Sequence, residues 1–197
     1  MPIKKGIGLG FTIHKEFGNI KAILGKKPTM ISALSVAQYF LSFTDEEREE
    51  AFTHLKLQKL LYYAQGYFLA TQKRPLFSET LQAWTHGPVV PEVYHIYKDY
   101  KNQPLPYTPC QEDFPVLLRD FLNSVLETHG IYSAAVLRTM THQEEPWIEA
   151  FNQGKSTPLN LTTMERFFRK KWLQESQCTE EDFKPTSQAF LDLWASI

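Results

Sequence analysis

A single long segment sets the fold class of this chain: "HLKLQKLLYYAQGYFLATQ", residues 54–72. Leu57, Leu60, Leu61, Ala64 and Phe68 recur in it at helical spacing and form one apolar stripe, which reads as a helix packed on a core. Thr53 stands where an N-cap belongs, and Pro75 closes the element. Lys56, Lys59 and Tyr63 line a different face. Two readings fit these three residues. Long side chains can snorkel over the edge of a core. Alternatively, an exposed tyrosine flanked by lysines suits a partner surface.

The same period runs along most of the chain, and no long stretch alternates with period two. Residues 31–43 place Leu34, Ala37, Tyr39 or Phe40, and Leu41 on one side. Thr44 and Glu47 have capping-box spacing for a short exposed helix. "EDFPVLLRDFLNSVLETHG" turns Leu117, Leu118, Phe121, Leu122 and Val125 inward, with Gly130 placed to terminate it. Ser133 caps "AAVLRTMTH", Pro146 starts "WIEAFNQG", and Gly154 stops it. Thr162 and Glu165 form a second capping pair, ahead of "MERFFRKKWLQES". A last helix near residues 185–196 carries Phe190, Leu193 and Trp194.

One stretch breaks the pattern. In "AWTHGPVVPEVYHIY", residues 83–97, Gly87-Pro88 signals a turn, and Pro88 and Pro91 each push the preceding residue out of the α region. Pro91 suits a first helical position, where a missing N–H costs nothing. The stretch therefore reads as a stiff corner that sets the entry angle of a helix starting near Pro91. Residues 76–85 fit either a short extended segment or a poor helix. The expected architecture is mainly α, a single compact multi-helix domain with a minor β-hairpin near residues 76–90.

Composition narrows the function. At 197 residues with 43% hydrophobic content, the chain suits one globular domain. Its 21 lysines and arginines face 22 acids, so there is no global excess to hold nucleic acid. Cys110 and Cys178 stand alone, which suits a reducing cytoplasm and no disulfide scaffold. No apolar run approaches the roughly 20 residues of a membrane span. Residues 1–29 are set apart: Lys4, Lys5, Lys15, Lys21, Lys26 and Lys27 oppose one acid, Glu16. They read as a basic leader before a domain over residues 30–197.

Catalytic motifs are scarce. His86, beside Gly87-Pro88, and His142, near Glu144 and Glu145, are candidates for acid–base or ligand roles, but helix-end histidines more often bond carbonyls. No spacing suits a metal site, and neither a nucleophile elbow nor a phosphate loop is present. No catalytic residue, metal or cofactor is expected; a hydrolase on His86, His142 and Glu145 is the enzyme alternative. Arg166, Arg169 and Lys170 share one helix face. A solvated face is the plainer reading, and a phosphate-contacting or acidic-partner surface the functional one; a DNA-binding operon regulator would use this face or the basic leader.

Taken together, "LKLQKLLYYAQGYFLA" (55–70), "PLFSETLQAWTHGPVVPEVYHIYK" (75–98) and "LRTMTHQEEPWIEA" (137–150) carry a resemblance. In this order and spacing they resemble the Panacea domain, also called the SocA-like antitoxin domain and found in the phage-associated protein GepA, over residues 30–170. The resemblance implies a small helical protein without catalytic residues. It implies the antitoxin half of a toxin–antitoxin pair, which binds a protein toxin encoded nearby. For the SocA branch it implies a proteolytic adaptor that delivers its toxin to the protease ClpXP. Leu57, Lys59, Leu60, Tyr62, Tyr63, Trp84, Gly87, Pro88, Val89, Thr141, His142, Pro146 and Trp147 match the family's signature, and most read as structural. Trp84 is expected in the core. The candidate partner-binding residues are Lys56, Lys59, Tyr63, His86 and Tyr94.

Overall fold

The computed structural model describes residues 31–44 and 52–176. The basic leader, the short helix after Thr44, Cys178 and the helix near residues 185–196 lie outside the described residues. Seven α-helices are described: α1 (Ala33–Leu41), α2 (His54–Gln72), α3 (Pro91–Tyr97), α4 (Val116–His129), α5 (Ala134–His142), α6 (Glu145–Gln153) and α7 (Leu161–Ser176). A one-turn 3-10 helix, Lys98–Tyr100, extends α3. Three short strands, β1 (Gln82–Trp84), β2 (Gly87–Val89) and β3 (Thr157–Pro158), form an antiparallel sheet in the order β2-β1-β3. The fold is mainly α with a minor β element, as the periodicity predicts.

Local chemistry starts most of the helices. Ser32 Oγ accepts the Ser35 N–H at 2.9 Å at the head of α1, and Thr53 Oγ1 accepts that of Lys56 at 3.4 Å. Ser133 Oγ does the same for Val136 at 3.3 Å. Pro91 and Pro146 sit in the first turns of α3 and α6. At α7 the expected cap is wrong. Asn160 Oδ1, not Thr162, takes the orphan N–H groups, those of Thr162 at 2.8 Å and Thr163 at 3.1 Å. Asn160 stands one residue before the helix, where a side-chain acceptor reaches the second and third N–H groups.

Helix α2 is the axis of the described residues, packed by α1, α3, α4, α5, α7 and β2. Every residue from Lys56 to Ala70 is buried. This corrects the expected exposed face: Lys56 is 2% exposed, and Lys59 and Tyr63 are 0% exposed. The reason is visible in the second half of the helix. From Leu60 onward it is apolar nearly all round, and a helix of that kind is surrounded.

The buried polar side chains of α2 serve the backbone of the loops around it. Gln58 Oε1 accepts the Val90 N–H at 2.8 Å. Gln65 Oε1 accepts those of Leu76 at 2.8 Å and Phe77 at 3.2 Å, while its Nε2 donates to the Phe77 carbonyl at 3.0 Å. Lys59 Nζ donates to the Pro88 carbonyl at 3.0 Å. Segments without a ladder of their own thus have their buried polar groups satisfied. That settles residues 76–81: Leu76 and Phe77 are fixed by Gln65 as irregular chain leading into β1.

Helix α7 lies along α2 because Gly66 leaves room for it. A Cβ there would come within 2.1 Å of the Phe168 ring, whose centroid is 5.2 Å from that of Tyr62 and 5.0 Å from that of Tyr67. Across the molecule β1 pairs with β2 in the register Gln82↔Val89, Ala83↔Pro88 and Trp84↔Gly87, leaving Thr85 and His86 as the turn. The corner is therefore a true hairpin feeding α3. On its other edge β1 pairs with β3, which the sequence pattern does not reveal. Among the described residues no helix is long and apolar enough to cross a membrane.

Candidate functional site: the hairpin surface

The hairpin is anchored where three elements meet. Gly87, at φ +100°, sits so close to its neighbours that a Cβ would lie 2.6 Å from Lys59 Nζ and 2.8 Å from Thr141 Oγ1. Only glycine combines that backbone with that approach. Lys59 comes from α2, Gly87 from β2 and Thr141 from α5, whose hydroxyl donates to the Arg138 carbonyl at 2.9 Å. Burial pushes the Lys59 ammonium down to about 7, and the Arg138 charge adds to the shift.

A second layer supports β1. Trp147 Nε1 donates to the Trp84 carbonyl at 3.0 Å. The Trp147 ring stacks on His142 at 4.1 Å with 7° between the planes, and on Phe151 at 4.6 Å. Signature residues far apart in sequence (Lys59, Gly87, Pro88, Thr141, His142 and Trp147) are thus one assembly. Leu57, Leu60, Tyr62 and Val89 belong to the surrounding buried set, and Pro146 is buried at the head of α6.

Above this assembly lies an aromatic shelf. Trp84 is half-buried rather than in the core as expected, because it caps the outer face of the hairpin. Its ring meets Tyr94 edge-on at 4.8 Å, and its Nε1 donates to Gln82 Oε1 at 3.0 Å. Tyr94, also half-buried, contacts His54 at 5.5 Å and His95 at 5.6 Å. His86 is exposed at the turn. Of the five candidate partner-binding residues, the structure places only His86 and Tyr94 at the surface. His54 and Arg138 complete this surface, and the sequence reading missed both. The one available signal for Arg138 was its place one turn ahead of Thr141 and His142.

The other three candidates serve the interior. Lys56 places its ammonium 5.8 Å from the centre of the Phe52 ring. Tyr63 stacks on His129 at 3.9 Å and donates to Glu144 Oε1 at 3.3 Å, where Lys171 Nζ also bonds at 2.6 Å. Burial, with help from Lys171, pushes His129 down to about 3. Burial raises the Glu144 carboxyl, against the pull of Lys171.

The residues of the enzyme alternative have separate partners. Glu145 pairs with Arg166 at 2.8 Å, and His142 lies flat against Trp147. Among the described residues no group of three or more His, Cys, Asp or Glu side chains is placed to hold a metal ion. Arg166, Arg169 and Lys170 line an open depression on α7 together with Leu173 and Gln174.

This architecture has relatives. The family model described as "Antitoxin SocA-like, Panacea domain" matches residues 57–148, a span that contains the whole anchor of the hairpin. The protein named Antitoxin SocA from Caulobacter vibrioides (strain NA1000 / CB15N) is 38% identical over 151 residues, covering 70% of this chain and 79% of that protein. No solved structure matches the chain significantly. These matches support an antitoxin role. The chain belongs to the SocA-like antitoxin family, whose mark is the Panacea domain.

Proposed function

We propose that this protein is the antitoxin of a toxin–antitoxin pair in the cytoplasm. It neutralises a cognate protein toxin, encoded nearby, by direct protein–protein binding through the hairpin surface. The observation that carries the reading is the shelf itself: Trp84 and Tyr94 stand half-buried in edge contact at 4.8 Å, beside the exposed His86. Tryptophan and tyrosine dominate binding hot spots. Here Trp84 is held on a hairpin fixed from below by Lys59 and Trp147, and Tyr94 on the helix α3 that the hairpin feeds, so little freedom remains to be lost on association.

The test is co-expression with the product of the neighbouring gene. The neighbour should be toxic alone, harmless with this protein, and recovered in a stoichiometric complex. Tyr94→Ala with His86→Ala should weaken binding by roughly ten- to a hundredfold, since each tenfold is about 1.4 kcal/mol, with the melting temperature preserved. Neutralisation by strongly substoichiometric antitoxin, with no complex recovered, would replace direct binding by delivery to ClpXP.

A further inference from the structure

We infer that the hairpin surface is a seat for an acidic segment of the protein partner, with a carboxylate held by His86 and Arg138 above the buried Lys59. The inference rests on the direct-binding reading and supplies the partner's chemistry. Lys59 has no exposed surface, and its hydrogen-bond partner is the neutral carbonyl of Pro88. Its other close neighbours at the turn are Gly87 and the Thr141 hydroxyl. The Thr141 hydroxyl beside Gly87 donates to the Arg138 carbonyl, and His86 directly precedes Gly87, so the fold gathers basic residues around Lys59, His54 and His142. Arg138 acts on Lys59; Lys59 acts on His54; Arg138, Lys59 and His86 act on His142. His142 Nε2 is buried without a hydrogen-bond partner.

The acids of α6 and its N-cap are engaged elsewhere. Glu144 bonds Lys171, Glu145 pairs with Arg166, and Glu149 Oε2 accepts from Thr163 Oγ1 at 2.8 Å. Burial without a carboxylate holds the Lys59 ammonium down to about 7, so its charged form lacks a counter-charge, and its neighbours are exposed or half-buried basic side chains. A partner carboxylate at His86 and Arg138 would complete the charge balance the fold leaves open, in the manner of complementary interfaces. A protein segment fits better than a nucleic acid for two reasons. The chain's net charge of −1 offers no long-range attraction to a polyanion. The adjoining Trp84 and Tyr94 offer apolar contact to residues flanking the carboxylate.

The experiment uses the full chain and two synthetic peptides. One is rich in Glu and Asp around a single Phe; the other replaces those acids by Gln and Asn. Trp fluorescence and the His ring NMR signals report binding, with random-sequence duplex DNA as a third probe. The acidic peptide should bind at least about tenfold more tightly than the neutral one. Arg138→Glu with His86→Glu should abolish that preference, Arg138→Lys should keep it, and all variants should melt with wild type. Equal binding of both peptides, an undiminished preference in the charge-reversed variant, or tighter binding of the DNA would overturn the inference. Co-purification separates it from the proposal beneath. A toxin that fails to bind wild type defeats direct binding, whereas one that binds the charge-reversed variant undiminished defeats only the acidic seat.

Discussion

The Lys59 ammonium, with no exposed surface, donates to the Pro88 carbonyl at 3.0 Å and so ties the central helix to a hairpin 29 residues on. Gly87 and Thr141 close over the same nitrogen. A residue whose type suggests a partner contact is therefore the pin that holds the partner surface in place.

Lys59 gives stability a signature in alkali. Its folded value of about 7 lies below the ordinary 10.5. Between those values the unfolded chain holds a proton that the folded chain does not, so stability rises with pH across that window. From pH 7 to 9 this one group contributes a gain of about 2 kcal/mol. Urea titrations of wild type and Lys59→Met at both pH values should show the gain in wild type alone. Parallel behaviour of the two proteins would mean that Lys59 keeps its charge in the fold.

Gly87→Ala should destabilise by roughly 2 to 4 kcal/mol, from a strained left-handed backbone and from overpacking against Lys59 and Thr141. Thermal unfolding measures it. A variant within about 0.5 kcal/mol of wild type would mean that the turn relaxes freely.

His129 acts at the acid end. Its folded value of about 3 lies below the ordinary 6.5, so below pH 6.5 the unfolded chain takes up a proton that the folded one refuses. This contribution is lost as pH falls, by about 2 kcal/mol between pH 7 and 5. The raised Glu144 carboxyl works in the opposite direction, with stability falling as pH rises above 4.5. The His129 effect is therefore read as the difference between wild type and His129→Phe, which retains a ring against Tyr63. That difference should shrink on acidification.

The two tryptophans should separate stability from binding. Trp147 is 8% exposed, stacks on His142 and Phe151, and bonds the Trp84 carbonyl, so Trp147→Ala should cost about 3 to 5 kcal/mol. Trp84→Ala removes a half-buried ring and should cost clearly less while weakening toxin capture. Chemical denaturation paired with co-purification tests both. Equal destabilisation would return Trp84 to a core role.

Helix starts and stops were legible in the sequence because their causes are local. Thr53, Ser133, Pro91, Pro146 and Gly154 act on N–H and C=O groups a few residues away, and each stands where its helix begins or ends. The hairpin corner was legible for the same reason, through Gly87-Pro88. What surrounds α2 was not. The stripe of Leu57, Leu60, Leu61, Ala64 and Phe68 identifies one buried face, but six other elements decide whether the opposite face meets water. Lysine is almost never fully buried, so composition argued for exposure; the Pro88 carbonyl that receives Lys59 exists only once the hairpin has folded against the helix. Strand β3 spans Thr157–Pro158 and carries no periodicity of its own. Its hydrogen bonds are supplied by β1, more than seventy residues away. His86 and Tyr94 could be named from residue type beside a rigid turn, whereas His54 and Arg138 join them only through the packing of α2 and α5 around the hairpin. Burial and charge environment depend on groups distant in sequence, and only the tertiary structure brings those groups together.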